Sequence, residues 1–183
     1  MTLSPAGVVS VEGAKSIITY NKITGNNCND PAWGPDYLTQ FQGFGIILSS
    51  SAPGTKVSQN DLSKNDVGIG AIGGSGCCKI HDNILKDNRF FGIVIQDGKH
   101  TSSQDKISGG NVGVAAVSFG EKTVATLVND KITGATTPTQ ELSCCGGTAE
   151  IVTVPPGGFK VSNSQFNVKS SQVENLMEQI LRR

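Results

Sequence analysis

The chain has 183 residues whose 15 basic and 15 acidic side chains cancel, and charged residues make up only 16% of it, against roughly 25% in an average globular domain. That length suits one domain with a sizeable core and leaves little room for a second. Neutrality without a Lys/Arg run argues against a nucleic-acid partner, and no apolar stretch approaches the ~20 residues of a membrane span.

Residues 1–5 lack the basic start and apolar run of a signal peptide, so the protein either stays inside the cell or comes from a trimmed precursor. Residues 7–11 read as a Gly-led strand whose preceding half-repeat is missing, which points to a truncated or short-form member of a longer family. Five repeating segments follow. Each ends in an aliphatic residue (Ile23, Leu62, Leu85, Ile107, Ile132), and two positions before it stands Asn21, Asn60, Asn83, Asp105 or Asp130. A second aliphatic lies five residues before the first in four copies, with Ser102 in the fifth; three residues after it come Asn26, Asn65, Asn88, then Gly110 and Ala135. Gly45, Gly68, Gly92 and Gly113 each lead a short apolar strand. The anchors are spaced by 39, 23, 22 and 25 residues.

Strands of about four residues cannot bury their apolar faces alone. Stacked one repeat per coil, each pairs with its equivalents above and below, and the aliphatics form internal ladders. The Asn at the bend is expected to take the left-handed conformation and join a polar ladder, and the Gly to supply the backbone angles of a corner. Asn21, Asn60 and Asn83, with Asn26, Asn65 and Asn88, are the predicted ladder residues.

These residues resemble the right-handed parallel β-helix repeat, N-x-I-x-x-N-x-x-G-I, over roughly residues 7–135, and Asn60, Leu62, Asn65, Gly68 and Ile69 fit the pattern with a Leu at the first aliphatic. The resemblance implies an all-β, right-handed parallel β-helix of about five to six coils. Residues 1–168 would form it, with an insertion at 28–44, and residues 169–183 would add a C-terminal capping α-helix. The pectin lyase-like scaffold carries lyases, hydrolases, epimerases, phage tailspikes and inert stalks, so the motif speaks to fold and not to function.

The insertion holds the single Trp33 with Tyr37, Phe41, Asp30 and Asp36. Aromatic faces beside carboxylates suit a sugar ring, although the same rings would also serve to pack the loop against the coils. Near the C-terminus, Ser171 and Glu174 make a capping box, and Val173, Leu176, Met177, Ile180 and Leu181 form one apolar stripe that covers the coil end or seeds self-association.

For catalysis the best grouping is Lys79, His81 and Asp82, with His100, Asp105 and Lys106 one coil on. Adjacent residues on a strand point to opposite faces, so His81 and Asp82 need not converge. The outward positions Lys22/Thr24, Asp61/Ser63, Ile84/Lys86, Lys106/Ser108 and Lys131/Thr133 stack no two carboxylates, and the motifs of polygalacturonases and pectate lyases are absent. Cys77-Cys78 and Cys144-Cys145 are adjacent pairs and Cys28 stands apart, leaving idle thiols, disulfides and cross-links between chains open. With two His and two Met no soft-ligand cluster is expected, hence no metal and no cofactor. The leading expectation is a non-catalytic extracellular or cell-surface module that binds polysaccharide through the 28–44 loop or self-associates through the C-terminal helix or cysteines. A carbohydrate-active enzyme and a cysteine cross-linked coat protein are the alternatives.

Overall fold

The structure, a computed structural model, describes residues 6–27, 43–154 and 160–161. The C-terminal helix expected over 169–183 and the body of the 28–44 insertion lie outside the described residues, and among the described residues there is no helix. Among the described residues there are eighteen strands, numbered in chain order, of which the first seventeen are dealt in turn to three sheets. The first sheet stacks β1 (Ala6–Val11), β4 (Phe44–Ser49), β7 (Val67–Ile72), β10 (Phe91–Gln96), β13 (Val112–Ser118) and β16 (Thr137–Ser143). The second stacks β2 (Ile17–Thr19), β5 (Thr55–Ser58), β8 (Ser75–His81), β11 (Lys99–Ser103), β14 (Lys122–Val128) and β17 (Thr148–Val154). The third stacks β3 (Lys22–Thr24), β6 (Asp61–Ser63), β9 (Ile84–Lys86), β12 (Lys106–Ser108) and β15 (Lys131–Thr133). All these pairings are parallel; only β18 (Lys160–Val161) runs antiparallel, against β17. The molecule is an all-β parallel solenoid.

Ile23, Leu62, Leu85, Ile107 and Ile132 fall in one register column, and Leu62, Leu85 and Ile107 are fully buried. Ile18, Val57 and Ile80 face them from the second sheet, and Ile46, Ile69, Ile93 and Val114 from the first. Each of the fully buried residues among these stabilises the stack by roughly 1.5–3 kcal/mol, and the partly buried Ile23 and Ile132 by less. Ser102, the polar exception in the aliphatic column, donates its hydroxyl to Asp105 Oδ2 at 2.7 Å. The buried carboxylate explains the serine.

The asparagines form the predicted ladder. Asn60 Oδ1 accepts both the backbone N–H and the side-chain amide of Asn21, each at 3.0 Å, and Asn83 Oδ1 accepts the same two groups of Asn60. Asp105 Oδ1 continues the series under Asn83, and Asp130 Oδ1 accepts the N–H of Asp105 at 2.7 Å. A parallel ladder runs Asn26, Asn65, Asn88. The expected left-handed asparagine is corrected: positive φ belongs to the residue before it, Tyr20, Gln59, Asp82, Gln104 and Asn129. The ladder residue must aim inward to stack, so the reversal falls on a neighbour whose side chain points to water.

The glycine expectation is corrected too. Gly68 and Gly92 do not have positive φ. A Cβ on Gly68 would lie 2.6 Å from both the Gly92 carbonyl oxygen and Leu85 Cδ2, and one on Gly92 2.6 Å from the Gly113 oxygen and Ile107 Cγ2. These glycines serve close approach of backbone to the aliphatic ladder, not freedom at a corner.

Gly68→Ala is therefore expected to cost about 1–3 kcal/mol through overpacking, read as a lower urea midpoint with an unchanged β-sheet circular dichroism spectrum; an unshifted midpoint would contradict the packing account. The ladder carboxylates give a pH dependence. Burial pushes Asp130 up to about 7, the neighbouring Asp105 charge adds to this, and the N–H of Asp105 opposes it only in part. Burial also raises Asp105, against its hydrogen bonds from Ser102 and Asn83. A carboxyl raised on folding keeps its proton in the native chain while the unfolded chain ionises near ~3.9, so stability is full below that value and falls as pH rises towards about 7. Buried His100, whose pKa is lowered, acts in the opposite sense, so the readout is the difference between wild type and Asp130→Asn: wild type is expected to lose melting temperature relative to the variant between pH 5 and pH 8, and a relative gain over that interval would contradict the assignment.

Candidate functional site

The third sheet is three residues wide, with its central aliphatics turned inward and its flanking residues outward. Lys22, Asp61, Ile84, Lys106 and Lys131 form one outer column, and Thr24, Ser63, Lys86, Ser108 and Thr133 the other. All four lysines are exposed. The adjoining corner carries the exposed Tyr20, Gln59, Asp82, Gln104 and Asn129, Tyr20 at 76% exposure. On the second sheet Lys79 aligns with Lys56 and Thr101, and His81 with Ser58 and Ser103.

Against the alternation argument, His81 and Asp82 meet: His81 Nδ1 lies 2.7 Å from Asp82 Oδ2. Asp82 has left the strand, and its φ of 57° swings the carboxylate back beside the ring. The pair sits at the surface, with 25% of the His and 45% of the Asp side chain exposed. The other grouped residues disperse. Asp105 is buried inside the ladder, Lys106 belongs to the third-sheet column, and His100 is buried beside the cysteines.

Trp33, Tyr37, Phe41, Asp30 and Asp36 lie outside the described residues, but the base of their loop is built. The Asp66 N–H donates to the carbonyls of both Asn26 and Gly43, at 2.9 and 3.0 Å. Asp66 Oδ2 accepts the Gly43 N–H at 2.9 Å, and Oδ1 pairs with Arg89 Nε at 2.9 Å. Arg89 in turn lies 4.2 Å from the Phe90 ring centroid, and Phe44 lies across Gly70 in an apolar cluster separate from the main core. The buried Asp66 thus clasps the two ends of the insertion. Sequence reasoning passed it over; the available signal was that Asp66 and Arg89 are one 23-residue coil apart.

Each adjacent cysteine pair is a disulfide within itself, Cys77 to Cys78 and Cys144 to Cys145, so a cross-link to another chain through these four would first require opening those bonds. Cys28 lies outside the described residues. The count of His and Met left the cysteines aside, and Cys77, Cys78 and His100 place their sulfur and ring-nitrogen atoms within 4.8 Å of one another. The three residues are 4%, 5% and 3% exposed. Burial lowers the pKa of His100, only partly opposed by its bond to Gly73. Its Nε2 donates to the Gly73 carbonyl at 3.0 Å, so in the neutral ring Nδ1 carries the lone pair, 3.6 Å from Cys77 Sγ.

The family model described as a right-handed β-helix region matches residues 3–132. No curated protein and no solved structure matches the chain. The match covers every rung of both ladders, Asp130 included, and the fold is that of a pectin lyase-like module in general. On the parallel three-strand coils and this match over most of its length, the chain belongs to the right-handed β-helix family.

Proposed function

We propose that this protein is a non-catalytic module, acting outside the cell or on its surface, that binds an acidic polysaccharide along its third sheet. The observation that carries this reading is the composition of the two outer columns, which set four lysines and four hydroxyls against one carboxylate, Asp61. Strands ~4.8 Å apart repeat these groups along one face, which suits a polymer whose own carboxylates and hydroxyls repeat. Tyr20 at the corner offers a ring face for a sugar, and Gln59, Gln104 and Asn129 offer amides beside it. The 28–44 segment, with Trp33, Tyr37 and Phe41, would extend the contact from its clasp at Asp66. Two carboxylates do occupy adjacent coils, Asp105 and Asp130, but both are engaged in the ladder, away from the surface where a substrate would lie. The two disulfides suit an oxidising compartment.

The test is co-sedimentation or calorimetry with polygalacturonate and with a neutral glucan. Three exposed lysine contacts at about 0.5–1 kcal/mol each make the Lys22→Ala/Lys106→Ala/Lys131→Ala variant roughly 30-fold weaker for the acidic polymer. Binding of wild type should also weaken with salt. Equal binding of both polymers, or full binding by the triple variant, contradicts the reading, and release of unsaturated uronates would make the protein a lyase.

A further inference from the structure

The parallel pairing of β8 with β11 is interrupted at one place. Lys99 pairs with Ser75 and Thr101 with Lys79, so the single residue His100 faces the three residues Gly76, Cys77 and Cys78. Irregularities of this kind re-aim side chains, and they recur beside functional sites. Here the bulge brings two adjacent sulfurs and an imidazole nitrogen to one buried point. The Gly73 carbonyl accepts the His100 Nε2–H and fixes which nitrogen faces the sulfurs, as a backbone carbonyl behind the ring does for metal-binding histidines. Gly73, Gly74 and Gly76 all take positive φ in the chain beside the pair, and Gly74 and Gly76 are exposed. Among the described residues this is the single grouping of three such ligands; Cys144 and Cys145 belong to none.

We propose that Cys77, Cys78 and His100 form a reduction-gated site for one soft d10 metal ion, held by two thiolates and the imidazole Nδ1. In the disulfide state the sulfurs are bonded to each other and the site is closed. A dithiol donor transfers two electrons and two protons to the Cys77–Cys78 bond; the S–S bond breaks, two thiols form, and the donor closes to its own disulfide. The incoming ion displaces both thiol protons to solvent as two metal–sulfur bonds form, and the Nδ1 lone pair supplies the third bond. Two sulfurs and one nitrogen, with no carboxylate in the group, select thiophilic ions over magnesium or calcium.

The test uses the full chain, reduced with a phosphine without oxygen and titrated with Cd2+, following thiolate-to-metal charge-transfer absorption in the ultraviolet. The band should saturate at one Cd2+ per chain, persist in the Cys28→Ser/Cys144→Ser/Cys145→Ser variant, and be absent before reduction. His100→Gln should keep the band but bind at least about tenfold more weakly, the smallest loss seen when even an outer-shell partner is removed. Alkylation of the reduced wild type gives a readout independent of any variant's folding: with Cd2+ bound, Cys77 and Cys78 should be spared while Cys144 and Cys145 are modified. A pair that resists reduction in the folded chain, a band lost in the triple-serine variant, or equal alkylation with and without Cd2+ would overturn the proposal.

Discussion

A corner asparagine that must meet its counterpart one coil away is the constraint on which the solenoid depends. From Asn60 to Asp105 each ladder oxygen accepts two donors from the coil before it, as Asn83 Oδ1 does from the N–H and the amide of Asn60. The same amide nitrogens bond strand carbonyls, Asn60 Nδ2 to Ile18 and Ser58, and Asn83 Nδ2 to Val57. Leaving one such buried group without its partner costs about 1–3 kcal/mol, so a coil displaced by one residue would lose several bonds together. Insertions must therefore leave the chain between ladder positions. The 39-residue coil obeys this, because Asn21 and Asn60 remain bonded across it while Asp66 closes the loop's base.

From that constraint the local chemistry follows. An inward-pointing ladder residue needs a chain reversal beside it, hence positive φ at Gln59 or Gln104 with a side chain in water. Tight stacking brings the first sheet so close to the aliphatic column that Gly68 and Gly92 admit no Cβ. Where the ladder changes from asparagine to aspartate, the chain answers with Ser102 under Asp105, and with a carboxyl at Asp130 that holds its proton to about pH 7.

The period of aliphatics and asparagines made the architecture and the buried columns legible, since spacing alone decides which residues stack. What stayed hidden depended on geometry at a bend or on pairs one coil apart. Alternation along an ideal strand separates His81 from Asp82, but a left-handed residue reunites them. Cys77 and His100, like Asp66 and Arg89, stand 23 residues apart, so a reading of ligand spacing within short motifs misses both pairs, whereas a reading at the length of one coil finds them. The surface proposed for polysaccharide was visible as a list of outward residues. Its basic character emerged only when register aligned Lys22, Lys106 and Lys131 in one column with Lys86 in the next.

Native-state hydrogen exchange at the backbone N–H groups of Asn60, Asn65 and Asn83 tests the central claim most directly, because each donates to a side-chain oxygen of the following coil and to no strand carbonyl. The ladder account predicts protection equal to that of the slowest strand amides, lost only with global unfolding. Exchange as fast as that of exposed turn amides would mean that the side-chain ladder does not hold the coils in register.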